Sequence, residues 1–151
     1  MSEIENIKLL RDKTGISVAQ CKKALTEAGG DLDRALEVLR SASAAIAEKK
    51  SDRTLASGTV SSYIHNHGQS AAILLLACET DFVAKNPEFK ILADDLAMQV
   101  VAFAPASVDE LLALPFIKGE GQTVAETING AVQKFGERIE VVEFKRLVAS
   151  E

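Results

Sequence analysis

Cysteine is scarce in this chain: Cys21 and Cys78 are the only two, and they stand far apart. That excludes a disulfide framework and the close ligand spacing of a zinc site, so reduced thiols in the cytoplasm are the default expectation. Positive charge is in deficit as well, with a net charge of −5 and a pI near 5.1. Duplex nucleic acid is bound by neutralising phosphates with Lys and Arg, and here the basic clusters are few and short, so no direct nucleic-acid partner is expected. No apolar run approaches a membrane span, and the start Met1-Ser2-Glu3 is acidic rather than basic, which argues against insertion or secretion. Gly119 and Gly121 are followed by Gln122-Thr123, so the Lys-Ser or Lys-Thr pair of a phosphate-cradling loop is missing. His65 and His67 flank a turn signal without a third ligand nearby, and no Ser-His-acid or Cys-His set occurs. The chain is therefore expected to work without covalent catalysis: no catalytic residue, no metal ligand and no cofactor is assigned.

What remains is a chain of 151 residues, 47% of them hydrophobic, enough to bury a real core and without low-complexity tracts. Ser2-x-x-Glu5 makes a capping box, and Ile4, Ile7 and Leu10 recur at helical spacing until Thr14-Gly15. Ser17-x-x-Gln20 repeats the device ahead of Val18, Cys21, Ala24, Leu25 and Ala28, which end at Gly29-Gly30. Asp31 caps a third stripe of Leu32, Ala35, Leu36 and Leu39. No single stripe can be buried alone, so three short helices form one bundle. Residues 41–51 are Ala-rich and end in Glu48-Lys49-Lys50, a linker or an extension of the third helix.

Residues 58–65 alternate approximately and run into Asn66-His67-Gly68-Gln69, turn chemistry for a β-hairpin. The returning run, residues 71–78, is the most apolar in the chain and reads as a strand covered on both faces, although periodicity alone does not separate it from buried helix. Phe89, Leu92, Ala93, Leu96, Val100 and Phe103 mark one face of a helix that covers the sheet and stops at Pro105, while Asp94, Asp95 and Gln99 are expected to point to solvent. Ser107-x-x-Glu110 and Thr123-x-x-Glu126 start two more helices. Residues 139–144 read as a strand with apolar residues on both parities, implying a bulge or double cover.

Between the apolar strand and the helix started by Asn86-Pro87-Glu88 lies a corner, Thr80-Asp81-Phe82-Val83-Ala84-Lys85. It places a large ring and a carboxylate where patterning alone would put small polar residues. Two readings stand side by side: Phe82 tucks under the next helix and Asp81 caps a turn, or both are displayed from a rigid scaffold as contact residues.

The block ETDFVAKN at 79–86, with CKKAL at 21–25 and GTVSSYIHNHGQSAAILLLAC at 58–78, resembles elongation factor Ts; PFIKGEGQTVAETI at 115–128 and FGERIEVVEFKR at 135–146 resemble the closing part of that family's core. The resemblance implies an α+β fold: a three-helix bundle of the ubiquitin-associated type, suggested by Leu9, Gly15, Cys21, Ala24, Gly29, Asp31, Ala35 and Leu39, then a small core with a mainly antiparallel sheet covered by helices. It places that bundle at 1–40, a linker or helix extension at 41–55, and a single, shortened core subdomain at 56–151. The implied activity is guanine nucleotide exchange on the translation GTPase elongation factor Tu. Thr80, Asp81, Phe82 and Val83 match the family segment that enters the GTPase domain near its magnesium ion. Arg11, Thr14, Gly15, Val18 and Ala19 match a second contact in the bundle, where common members carry bulkier residues such as Met in place of Val18 and Ala19. Longer members have two core subdomains and a coiled coil. Only a short connection separates the Phe103 helix from Pro115 here, so the remaining sheet has incomplete cover and a homodimer is expected, as in short members.

A different class of function, a peptide or ubiquitin-like adaptor, fits the opening bundle alone. The corner and the C-terminal match favour exchange over it.

Overall fold

The computed structural model describes residues 2–119 and 121–150. Met1, Glu120 and Glu151 lie outside the described residues, and with them the first residue of the acidic start and the middle of the 119–121 loop. The fold is α+β, with seven helices and one three-stranded sheet among the described residues. The chain divides into two compact units, Met1–Asp52 with Ile128–Glu137, and Arg53–Thr127 with Arg138–Glu151.

In the first unit, α1 (Glu3–Thr14), α2 (Val18–Glu27) and α3 (Leu32–Lys49) begin where the capping residues predict. Ser2 accepts from the Glu5 N–H, Ser17 from Gln20, and Asp31 from both Asp33 and Arg34. Gly15 ends α1 in the left-handed region at φ 71°, where its N–H reaches Arg11 O at 2.7 Å. Leu10, Ile16, Cys21, Ala24, Leu25, Ala28, Ala35 and Leu39 form the buried cluster that the three stripes require. Ile4 is on the α1 stripe but stays exposed, because periodicity does not say how far along a helix its neighbours extend. The Ala-rich stretch is helical, as the second part of α3. Its Ser43 is buried and donates to the Gln133 carboxamide oxygen of α7 (Val124–Phe135), whose residues from Ile128 onward belong to this unit.

In the second unit, β1 (Ser57–His65), β2 (Ser70–Cys78) and β3 (Glu140–Val148) form an antiparallel sheet in the order β1-β2-β3. The hairpin turn puts Asn66, His67 and Gly68 all at positive φ, which Asn and Gly tolerate well. Val142 is the bulge residue of β3, since Leu75 pairs with Glu143 and Leu76 with Val141. That bulge is why apolar residues fall on both parities of this strand.

Helix α5 (Pro87–Phe103) covers one face of the sheet. Phe89, Ala93, Leu96, Ala97 and Val100 are buried with Ala72, Leu74, Leu76 and Cys78. Among the described residues of this unit the other face is largely uncovered, contrary to the expectation of a strand covered on both sides: Ile73 of the central strand is 52% exposed, and Val60, Ile64 and Leu147 on the same face are exposed, although Ala77 at its end is buried. An unbroken apolar run states a demand for cover on both faces; one layer of helix meets half of it.

Three further expectations for α5 are corrected. Gln99 is fully buried rather than solvated, donating through Nε2 to Pro115 O at 2.8 Å and accepting from Ile117 N–H at 3.1 Å. Asp94 stays exposed as expected while accepting from Ser61, but Asp95, its side chain 13% exposed, pairs with Lys118 Nζ at 2.8 Å, which pushes the Lys118 pKa upward. Phe103, at the C-terminal end, is 46% exposed, although Val100 and Val101 before it are buried. Helix α6 (Val108–Ala113) follows, and Gln99 holds the next segment against α5 by giving its backbone two side-chain partners that no strand supplies.

Candidate partner-binding site

The corner is a one-turn helix, α4 (Asp81–Ala84), set between β2 and α5. Thr80 is its cap, with Oγ1 accepting from the Val83 N–H at 3.4 Å. The capping role that sequence allowed for Asp81 therefore falls to its neighbour, and Asp81 sits in the first turn, where a carboxylate suits the helix dipole. Its Oδ1 accepts a hydrogen bond from Ser57 Oγ at 2.5 Å. Asn86 caps α5 two residues after α4 ends, accepting from Glu88 N–H at 2.9 Å. Two caps so close together leave the intervening chain little freedom.

Phe82 is 84% exposed, more than any other large apolar residue among those described. The tucked arrangement is therefore not the one adopted. Val83 and Ala84 of the same turn are buried, so α4 is held from beneath by two small apolar side chains while Asp81 and Phe82 stand outside. The base of the corner is tied down too. Glu79 Oε2 accepts from the Arg138 N–H at 2.6 Å and lies 3.6 Å from the Arg53 guanidinium. Arg138 in turn donates to Arg53 O at 2.6 Å and to Glu140 at 2.7 Å. Cys78 Sγ donates to Thr80 O at 3.3 Å. These ties were not legible in sequence, apart from the period-two hydroxyls Ser57, Thr59 and Ser61, which signal a polar strip on one face of β1.

The second group gathers around the α1–α2 turn of the first unit. Arg11, Gly15, Val18 and Ala19 are exposed, and Thr14 is half-buried with its hydroxyl donating to Leu10 O at 2.7 Å and accepting from Ile16 N–H at 3.2 Å. Thr14 thus shapes the turn that displays the other four. Beneath it, Cys21 is buried and burial pushes its thiol pKa up, against smaller opposing effects of Thr14 and Arg11. A thiol in that state is a small core side chain and a poor nucleophile. The two groups of residues belong to different units.

His65 is exposed at the hairpin end, within 3.0 Å of the Tyr63 hydroxyl. No cluster of three or more metal-ligating side chains exists among the described residues. No helix among them is long and apolar enough to cross a membrane.

The family model described as Elongation factor TS matches residues 79–151, which include the corner. Elongation factor Ts of Clostridium kluyveri is 41% identical over 150 residues, covering 99% of this chain and 49% of that protein. The chain spans about half the length of that relative and of the Methylococcus capsulatus one. Elongation factor Ts of Desulforamulus reducens is 36% identical, with 93% of this chain and 85% of the relative covered. That of Anaeromyxobacter sp. is 37% identical, with 96% and 87% covered. These last two alignments, over 185 and 190 residues, are longer than the chain itself, so both relatives carry internal residues with no counterpart here. With relatives matched over most of both chains, this chain belongs to the elongation factor Ts family.

Proposed function

We propose that this chain is a guanine nucleotide exchange factor for elongation factor Tu, acting in the cytoplasm without covalent chemistry, cofactor or direct nucleic-acid contact. The observation that carries this reading is the display of Phe82 on a one-turn helix capped by Thr80, beside the Asp81 carboxylate. Thr80, Asp81, Phe82 and Val83 form the segment that enters the GTPase domain. Phe82 and Asp81 make the contact, Thr80 sets the helix start, and Val83 anchors the turn from below. A GTPase holds its nucleotide through a phosphate-cradling loop and a magnesium ion, so a partner that stabilises a distorted form of that site weakens nucleotide binding, and nucleotide weakens the partner by the same factor. Arg11, Thr14, Gly15, Val18 and Ala19, in a three-helix domain of the ubiquitin-associated type spanning residues 1–40, make a second contact, weaker because Val18 and Ala19 are small. Residues 41–55 connect it to the core at 56–151.

The working form is a homodimer. Support comes from the sheet face opposite α5, where Val60, Ile64, Ile73 and Leu147 are exposed on three adjacent strands with Ser62, Glu143 and Lys145 among them, apolar surface of the kind that marks an interface.

The test is release of fluorescent GDP from elongation factor Tu as the chain is added. The rate is expected to rise with chain concentration. A rate equal to spontaneous release at every concentration would refute the function.

A further inference from the structure

The inner face of β1 carries hydroxyls at Ser57, Thr59 and Ser61, and each is hydrogen-bonded to a helix. Ser57 Oγ donates to Asp81 Oδ1 at 2.5 Å and Thr59 Oγ1 donates to Ala84 O at 2.8 Å, so the first two grip α4 at its beginning and its end. Between them, Gly58 lies so close to the central strand that a Cβ there would stand 2.8 Å from Leu76 O. The strand that bears both hydroxyls is thus seated directly on β2. A helix of four residues has one turn's worth of hydrogen bonds and does not hold its own direction; its orientation is set by what ties it down.

We propose that Ser57 and Thr59 are positioning residues for exchange, fixing α4 so that the Asp81 carboxylate and the Phe82 ring face one way before the GTPase arrives. This rests on the functional reading of the corner given above. The physical gain is preorganisation: a turn already held in place loses less freedom on docking than one that must be ordered at the interface. Ser57 also fixes the carboxylate's rotation, occupying one oxygen while Oδ2 keeps its acceptor capacity for the partner.

The experiment uses the full chain with Ser57→Ala, Ser57→Thr, Thr59→Val and Phe82→Ala, and reads GDP release at one sub-saturating concentration. The six phenylalanines are also replaced by 4-fluorophenylalanine, and the Phe82 ¹⁹F resonance is identified by its loss in Phe82→Ala. Ser57→Ala and Thr59→Val are expected to slow release about tenfold, the factor to which the net worth of one hydrogen bond converts. Ser57→Thr, which keeps the hydroxyl, is expected to match the wild type. The Phe82 line is expected to broaden or split in Ser57→Ala and Thr59→Val but not in Ser57→Thr, a change that a general loss of stability does not produce. Thr59→Val preserves side-chain volume and supplies the comparison independently of any folding defect in Ser57→Ala. Wild-type rates in Ser57→Ala and Thr59→Val, with release slowed in Phe82→Ala, overturn the positioning role and leave the function standing. A wild-type rate in Phe82→Ala overturns the reading of the corner and this role together.

Discussion

Removal of the Phe82 ring separates binding from folding. The side chain is 84% exposed, so Phe82→Ala removes little buried surface from the free protein and should change its folding stability by no more than about 0.5 kcal/mol. In the complex the balance reverses. A phenylalanine can bury about 150–200 Å². Since most of that surface is available here, at about 25 cal/mol per Å² full burial against a partner is worth at most about 4–5 kcal/mol. Ordering and desolvation at an interface reduce this, and an aromatic hot spot typically retains 2 kcal/mol or a little more. The expected loss in exchange efficiency at 25 °C is therefore about 30-fold to 100-fold. The assay is a titration of variant and wild type against fluorescent-GDP-loaded elongation factor Tu, paired with urea unfolding of each free chain. Equal exchange by the two proteins would refute the site. A large stability loss in the variant would refute the premise that the ring lies outside the core.

Ile73→Lys puts a charge in the middle of the sheet face opposite α5, where Ile73 is already half exposed, so the protomer should keep its fold while association is lost. Gel filtration with light scattering at micromolar concentration is expected to give a dimer for the wild type and a monomer for the variant; a monomeric wild type would remove the dimer. Gln99→Leu leaves the Pro115 carbonyl and the Ile117 N–H without their side-chain partner and should cost about 2–4 kcal/mol in urea unfolding. A loss under about 0.5 kcal/mol would show that water replaces the amide there. For Cys21, burial raises the thiol pKa in the folded state, so the associated stability is fully present below the unfolded pKa and is lost as pH rises through the folded one. Thermal unfolding from about pH 8 upward should therefore fall more steeply for the wild type than for Cys21→Ala, and parallel curves would contradict a neutral buried thiol.

Sequence alone determined what is local. The caps Ser2, Ser17, Asp31, Asn86 and Ser107, and the reciprocal pair Thr123–Glu126, stand at the helix starts because a side-chain oxygen three or fewer residues away satisfies N–H groups that no distant part of the chain can reach. The hairpin turn was legible for the same reason, and so was the corner, since two rigid elements separated by eight residues leave few paths between them. Tertiary structure alone decided which demands were met. Gln99 looks like a surface residue by type but is buried, because the segment after α6 needs partners for its backbone and α5 lies within reach. The run around Ile73 looks doubly covered but is not, because hydrophobicity records a need for cover without supplying the second layer. Whether Phe82 faced in or out was likewise undecidable from pattern. Its outward direction follows from the burial of Val83 and Ala84 in the same short turn, which points the opposite side of α4, with the ring on it, into solvent.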